Sequence, residues 1–166
     1  MSYRKKEEYL KVLEEQIRCK KARSQVVEEI RKAKHLVFMG IGTSGTLGKY
    51  GARYFSNLGK YSQFIEDPFY PINMDLENTL VIILSVSGET EQVNTMAGHM
   101  KEHCCRLVSI TNRASTTLGS LSDYNLTYYV AERRVGQYGN ITTQVPVMYL
   151  LETLGRRVAN YPAGGA

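Results

Sequence analysis

Leu80-Val-Ile-Ile-Leu-Ser-Val-Ser-Gly-Glu-Thr90 is the stretch that decides how this chain of 166 residues folds. Its first five residues are all apolar, and such a run suits a parallel strand that is buried on both faces. Hydroxyl side chains follow at Ser85, Ser87 and Thr90, and Gly88 lets the backbone turn and approach a ligand closely. The stretch therefore predicts a strand that ends in a polar turn.

The residues after this turn, 89–101, contain no proline and are predicted to form a helix. The free N–H groups of a first helical turn and the helix dipole attract an anion, so the turn is a candidate phosphate site. The alternative is that the hydroxyls only cap the helix, because Ser and Thr are ordinary N-cap residues. Three hydroxyls within six residues, at the end of a central strand, favour a ligand site.

A second unit of the same kind lies earlier in the chain. The apolar run His35–Met39 is followed by Gly40-Ile-Gly-Thr-Ser-Gly45, and a helix is predicted from Thr46 to Leu58. The loop is not a phosphate-binding Walker loop, because no Gly-Lys-Ser/Thr closes it. It matches the Gly-x-Gly-x-x-Gly spacing of dinucleotide sites, but no acidic residue ends the next strand convincingly, so by itself the loop identifies no ligand.

The remaining pattern continues the alternation of strands and helices. Further strands are predicted at Tyr61–Ile65, Arg106–Ile110 and Tyr124–Val130, and further helices at residues 115–121 and 141–157. A polar loop is predicted at Ala131–Gly139. This order predicts an α/β domain with a five-stranded parallel sheet between two layers of helices. Both hydroxyl-rich loops then lie at the carboxyl edge of the sheet, where such folds bind ligands.

The positive charge of the chain is concentrated in its N-terminal segment. Residues 1–34 hold eleven Lys/Arg and six Asp/Glu, which accounts for the whole net charge of +5. They are predicted to form an N-terminal helical segment, followed by a globular body at 35–160 and a loose tail at 161–166. Because the body is neutral, it lacks the basic stripe that nucleic-acid binding requires.

The composition excludes several classes of protein. No run of about 18 apolar residues exists, and no apolar stretch follows the first charges, so neither a membrane span nor a secretion signal is expected. Cys19, Cys104 and Cys105 fit no disulfide framework or zinc spacing, which favours a reducing cytoplasm. His99 and His103 stand four residues apart, but without a carboxylate at motif spacing we expect no metal site.

With both loops in place, the chain resembles the sugar isomerase (SIS) domain family of phosphosugar-binding proteins. The resemblance rests on residues 40–45, 85–90 and 110–112, and it covers about residues 25–157. It implies a flavodoxin-like SIS fold, dimers or tetramers, no cofactor, and a sugar phosphate as the ligand. The residues expected to bind that ligand are Gly42, Thr43, Ser44, Ser85, Val86, Ser87, Gly88 and Thr90. The polar loop at Ala131–Gly139 is expected to meet its sugar.

The family contains both sensors and enzymes. The first hypothesis is a sensor like the SIS domains of RpiR-type transcription regulators, which follow a helix-turn-helix domain; we expect none here, since only about 34 residues precede the first strand. The second is an aldose–ketose isomerase in which Glu132 moves the proton, unless Glu132 merely pairs with Arg133 or Arg134. The third is a binder of a nucleotide or flavin. In the first case DNA would be reached only through a domain outside this chain.

Overall fold

The computed structural model of this chain describes residues 13–14, 20–73, 76–103 and 105–160. The predictions for most of residues 1–19, for Cys19 and Cys104, and for the tail lie outside these residues. The described helices are α1 Lys20–Lys32, α2 Gly42–Asn57, α3 Glu91–Glu102, α4 Thr117–Leu121 and α5 Val145–Ala159. The strands are β1 His35–Met39, β2 Tyr61–Ile65, β3 Thr79–Ser85, β4 Arg106–Thr111, β5 Tyr124–Thr127, β6 Arg134–Val135 and β7 Gly139–Asn140.

Five strands form one parallel sheet in the order β2-β1-β3-β4-β5, which confirms the predicted architecture. The chain passes from β1 outward to β2 and then returns to β3 on the other side of β1. The order reverses between β1 and β3, and such a reversal opens a crevice beyond the carboxyl ends of the two strands. The two hydroxyl-rich loops follow β1 and β3, so they lie side by side at this crevice.

The buried side chains form two clusters, one on each face of the sheet. Strand β3 supplies Leu80, Ile82 and Leu84 to one cluster and Val81 and Ile83 to the other, as expected of a strand with two buried faces. Helices α1, α2 and α5 cover the first cluster, and α3 and α4 cover the second. The result is the expected three-layer arrangement of helices, sheet and helices.

Helix α1 is part of this core. Its predicted apolar face is buried: Val26, Val27 and Ile30 are each 2% exposed or less. The amine of Lys60 fixes the end of the helix, because its Nζ donates hydrogen bonds to the carbonyls of Arg31 and Ala33 at 2.8 and 2.9 Å. A described part of the N-terminal helical segment is therefore anchored on the globular body.

Two predicted boundaries were wrong near the crevice. Helix α2 begins at Gly42 and not at Thr46, with Ile41 as its extended N-cap residue. Strand β5 ends at Thr127 and not at Val130. The pair Thr111–Thr127 is the last in the register of β4 and β5, so the chain beyond it has no strand to pair with.

The stretch predicted as a polar loop contains a small antiparallel hairpin, β6–β7. It is closed by the N–H of Ile141, which donates to the carbonyl of Arg133 at 2.9 Å. Helix α5 begins only after the hairpin, at Val145 and not at Ile141, with Pro146 in its first turn as predicted.

Candidate functional site

One cavity of about 270 Å³ lies at the crevice between β1 and β3. It is small for a ligand site, since such cavities commonly measure about 300–1,000 Å³. The lining residues are Ile41, Gly42, Thr43, Ser44, Leu84, Ser85, Val86, Ser87, Thr90, Val93, Arg134, Tyr138, Asn140, Thr142 and Gln144. Seven of the eight residues predicted from sequence to bind the ligand therefore meet around one space. The eighth, Gly88, does not line it.

The serine loop, residues 85–90, presents its hydroxyls in a fixed orientation. Ser85 Oγ accepts a hydrogen bond from the N–H of Gly88, and Ser87 Oγ accepts one from the N–H of Glu89, both at 3.1 Å. Each oxygen is thus held by the backbone in the role of acceptor. The hydroxyl proton of each serine is left to act as the donor that a phosphate oxygen requires.

Gly88 shapes the serine loop from behind the cavity. Its φ of +68° lies in the left-handed region, which glycine adopts without strain. A Cβ at this position would lie 2.6 Å from Cβ and Oγ1 of Thr116, so only glycine fits. The neighbouring backbone is also tied down, because Val86 O and Gly88 O accept hydrogen bonds at 3.0 Å from the N–H groups of Asn112 and Leu118.

The glycine loop, residues 40–45, leads directly into the first turn of α2. Thr43 and Ser44 therefore offer backbone N–H groups as well as hydroxyls, and Ser44 is buried at 7% exposure. Gly40 and Gly45 pack so closely that a Cβ on Gly45 would lie 2.8 Å from the carbonyl oxygen of Gly40. Gly, Thr and Ser are weak helix formers, which is why sequence reasoning placed this helix start too late.

Two helix N-termini thus border the cavity. Helix α2 has Ile41 as its N-cap and α3 has Thr90, and neither residue makes a side-chain capping hydrogen bond. The first N–H groups of a helix have no partner within the helix, and they carry partial positive charge. Because no side chain of the cap residue satisfies them, they are available to an anion in the cavity.

The hairpin β6–β7 and the residues after it supply lining residues that were not named one by one from the sequence, although the loop at 131–139 was expected to meet the sugar. Arg134, Tyr138 and Asn140 belong to it, and Thr142 and Gln144 follow it. The Thr142 hydroxyl holds its base, since Oγ1 accepts a hydrogen bond from the N–H of Arg133 at 2.9 Å. Glycines at positions 136 and 139 on either side of a short polar turn are a hairpin signal, but they give no indication that the hairpin reaches the crevice.

Asn112 directs the chain from β5 towards this hairpin. Its amide is 4% exposed and forms two hydrogen bonds with Val130: Nδ2 donates to the carbonyl at 2.8 Å, and Oδ1 accepts from the N–H at 2.9 Å. Both polar groups of one buried side chain are thus used to fix one residue of backbone. Asn112 acts on the site through this anchor and does not line the cavity.

Glu132, the predicted base, lies outside the cavity. Its carboxylate forms an ion pair with Arg113 at 2.7 Å, through Oε1, and a longer one with Arg134 at 3.9 Å, through Oε2. The pairing with Arg134 was one of those expected from sequence, whereas Arg113 was not foreseen. Because Arg134 itself lines the cavity, Glu132 is one residue removed from the ligand space.

Among the lining residues that the structure describes, Arg134 is the one cationic side chain, and none carries a carboxylate or an imidazole. Tyr128 lies behind the cavity wall and hydrogen-bonds to Gln144; burial raises the pKa of its phenol to about 12, so it stays neutral at physiological pH. The electrostatic environment of the lining, with two helix N-termini and one guanidinium, therefore favours an anionic ligand.

Within the described residues no group of three or more His, Cys, Asp or Glu side chains is arranged to hold a metal ion. His103 Nδ1 instead lies 2.9 Å from the carbonyl of His99. Across the same described ranges, no helix has both the length and the apolar character needed to cross a membrane.

Comparison with known proteins identifies the family and two kinds of relative. The family model of the SIS domain matches residues 29–154. An uncharacterized HTH-type transcriptional regulator of Clostridium perfringens is 29% identical over 128 residues, which cover 75% of this chain and 46% of the regulator. A probable arabinose 5-phosphate isomerase of Haemophilus influenzae is 32% identical over 116 residues, covering 68% of this chain and 34% of the isomerase.

Among solved structures, the NanR protein of Vibrio vulnificus in complex with ManNAc-6P superposes with a TM-score of 0.77 at 25% identity. The match covers 90% of this chain and 57% of the NanR chain. This chain spans less than half the length of the two curated relatives.

Proposed function

Because this chain belongs to the SIS domain family, we propose that it binds a sugar phosphate in the cavity between β1 and β3 and acts as the sensor domain of an RpiR-type, carbohydrate-responsive transcription regulator. The observation that carries the proposal is the convergence of the five hydroxyl side chains of the two loops and two uncapped helix N-termini on one small cavity. Such an arrangement satisfies the oxygens of a phosphate by charge-assisted hydrogen bonds.

In this proposal each part of the cavity has its own role. The hydroxyls of Ser44, Ser85, Ser87 and Thr90 and the N–H groups at 42–44 bind the phosphate, with Thr43 and Val86 completing the wall. Gly88 gives the serine loop its shape. The hairpin β6–β7 meets the sugar, because Arg134, Tyr138 and Asn140 line the cavity together with the two loops.

Two observations support sensing without turnover. Moving a proton between sugar carbons needs a base close to the substrate, and the lining residues carry no carboxylate or imidazole. The carboxylate of Glu132 is engaged by two arginines. A NanR protein that binds ManNAc-6P has the same fold over 90% of this chain, and a named transcription regulator is among the relatives.

The second candidate function is an aldose–ketose isomerase with Glu132 as the base. Its support is the isomerase relative and the position of Glu132, whose carboxylate lies 3.9 Å from a cavity-lining arginine. In this candidate a neighbouring subunit could supply the partner acid.

The wider setting is also part of the proposal. We expect a cytoplasmic homodimer or homotetramer with no cofactor, and DNA reached only through a helix-turn-helix domain. Residues 1–34 would connect that domain to the SIS body at 35–160, and ligand binding would shift the oligomer between two arrangements.

The deciding experiment is phosphorus NMR of hexose, pentose, heptulose and amino-sugar phosphates, first with catalytic and then with stoichiometric protein. Broadened or shifted resonances without a new product are expected for a sensor. New resonances that grow at catalytic protein concentration would establish the isomerase instead. Complete indifference to every sugar phosphate would overturn both functions.

The site itself is tested by Ser87→Ala. We expect sugar-phosphate affinity to fall about 10- to 150-fold, because the change removes one charge-assisted hydrogen bond worth roughly 1.5–3 kcal/mol. Ser56→Ala is the matched control, since Ser56 is an exposed serine on α2 that does not line the cavity. Equal affinities of the two variants, measured by calorimetry, would mean that the phosphate lies elsewhere.

A further inference from the structure

We propose that Arg134 contacts an oxyanion of the bound ligand and that Glu132 is the positioning residue that holds Arg134 for this contact. The proposal rests on the sugar-phosphate site described above and extends it. It assigns a role to the ion pairs among Arg113, Glu132 and Arg134, which lie beside the cavity and are not needed to form its floor.

The first step of the argument is the charge of the cavity wall. Arg134 is a cationic lining residue, and none of the other described residues that line the cavity is anionic. Its side chain is 59% exposed, so a ligand that fills the cavity would cover part of a guanidinium. Covering a charge is unfavourable unless it is hydrogen-bonded to an opposite charge, and Glu132 at 3.9 Å is too far away to provide that hydrogen bond. An oxyanion of the ligand would pair with the guanidinium through two parallel hydrogen bonds.

The second step is the uneven sharing of the Glu132 carboxylate. Arg113 binds Oε1 at 2.7 Å, which is a full charge-assisted hydrogen bond, whereas Arg134 lies 3.9 Å from Oε2, beyond hydrogen-bond distance. The Arg134 side chain can therefore move towards a ligand while Glu132 keeps its hydrogen bond with Arg113. At the same time, the nearby carboxylate of Glu132 keeps the guanidinium beside the cavity.

The third step is the rigidity of the backbone that carries these residues. Asn112 clamps Val130, two positions before Glu132. The N–H and the carbonyl of Arg133 are both used, by Thr142 Oγ1 and by the N–H of Ile141, each at 2.9 Å. Glu132 and Arg134 thus project from a backbone fixed on both sides of Glu132, which suits a positioning function.

This role differs measurably from that of a proton-transferring base. A base that is changed to its amide loses turnover and keeps substrate affinity. A positioning carboxylate that is changed to its amide loses affinity, and it does so only while the residue it positions is present. The effects of Glu132→Gln and Arg134→Gln should therefore not be additive.

The experiment is a double-mutant cycle on the full chain, with affinity for glucose 6-phosphate, 6-phosphogluconate and inorganic phosphate measured by phosphorus NMR titration. Arg134→Gln should weaken binding of at least one of the three about tenfold or more. Glu132→Gln should weaken it a few-fold, and the double variant should be no weaker than Arg134→Gln alone. Arg134→Lys should recover part of the affinity, because it restores the charge without the planar fork.

Arg133→Gln is the matched control, since it makes the same charge change at the adjacent exposed residue, which does not line the cavity. If Arg134→Gln lowers the affinity for all three ligands, Arg134 contacts the phosphate. A loss confined to 6-phosphogluconate would mean that it reads a carboxylate at the other end of the sugar.

The inference and the proposed function fail in different ways. If Arg133→Gln and Arg134→Gln weaken binding equally while Ser87→Ala still lowers affinity, the role of Arg134 is overturned and the sugar-phosphate site stands. Additive losses for Glu132→Gln and Arg134→Gln would overturn the positioning role of Glu132. If Ser87→Ala has no effect on affinity, the site itself is wrong.

Discussion

The glycine loop and the serine loop make the same kind of connection between a strand and a helix, but different contacts hold them in place. Each carries the chain from a buried parallel strand to an uncapped helix N-terminus, and each contains a glycine with positive φ: +62° at Gly42 and +68° at Gly88. A Cβ added to Gly42 would meet no atom within 4 Å, whereas one added to Gly88 would meet the Thr116 side chain at 2.6 Å. Equal backbone conformations therefore need not mean equal tolerance of substitution.

The difference lies in what holds each loop. The serine loop is held from outside, by the segment that follows β4: Leu118 donates to Gly88 O, and Glu89 accepts two hydrogen bonds from Thr117 at 2.6 and 2.8 Å. The glycine loop is held within itself, by the close packing of Gly40 and Gly45. One half of the candidate site thus depends on a distant segment of chain, and the other half on its own small residues.

Gly88→Ala should have the largest effect and is the sharpest test of this difference. It forces a side chain into the left-handed region and against Thr116, which together should lower the free energy of unfolding by about 3 kcal/mol. Gly42→Ala introduces only the backbone strain, so it should lower the free energy of unfolding by about 1 kcal/mol. Urea denaturation of both variants measures the two losses, and equal values would show that contact with Thr116 does not hold the serine loop.

Gly45→Ala tests the internal packing of the glycine loop. Within a helix, alanine normally stabilises the fold by up to about 1 kcal/mol relative to glycine. Here the new Cβ would lie 2.8 Å from the backbone carbonyl of Gly40, so we expect a net loss of about 1–2 kcal/mol.

Gly98→Ala on α3 is the control for this loss, because a Cβ there meets nothing within 4 Å. It should raise the free energy of unfolding by about 0.5–1 kcal/mol. If both Gly45→Ala and Gly98→Ala raise the free energy of unfolding, the glycine loop adjusts easily to a new Cβ and is not held by the close packing of Gly40 and Gly45.

Glu89→Gln should have the smallest effect, a loss of stability that is present at neutral pH and disappears under acid conditions. Hydrogen bonds from the Thr117 hydroxyl and then from the Thr117 N–H lower the pKa of Glu89 below its ordinary value. A carboxyl group whose pKa is lower in the folded state stabilises the fold above its ordinary pKa of about 4.3, and this contribution is lost as the pH falls through the folded-state pKa.

The variant should therefore show a weaker loss of stability on acidification than the parent chain, as measured by thermal unfolding between pH 7 and pH 3. Glu102→Gln makes the same charge change at the exposed far end of α3. If Glu102→Gln reduces the loss of stability between pH 7 and pH 3 as much as Glu89→Gln does, the hydrogen bonds between Glu89 and Thr117 contribute nothing to the attachment of the serine loop.

Sequence reasoning found the strands because their signal is local. The run Leu80 to Leu84 is buried on both faces as its composition predicts, with every residue from Thr79 to Ser85 buried. The carboxyl edge followed from the alternation of strands and helices, and with it the convergence of Ser44, Ser85 and Ser87. Side-chain alternation and strand order require no knowledge of distant contacts, so these features could be predicted.

The errors fall where a distant contact decides the local structure. Helix α2 begins early because Ile41 is extended and the glycines beside it pack closely, although Gly, Thr and Ser are weak helix formers. Strand β5 ends early because β4 offers no partner beyond Thr111. Neither cause is visible in the residues of the element itself.

The sequence by itself determined the parallel α/β sheet and the two hydroxyl-rich loops at its carboxyl edge, because apolar periodicity, hydroxyl density and strand order are local properties. Only the tertiary structure decided that the loop expected to meet the sugar forms the hairpin β6–β7, and that Glu132 binds Arg113, 19 residues earlier in the chain. The physical reason is that both depend on how Asn112 turns the chain after β5, and a buried amide of this kind acts through the backbone it meets in space.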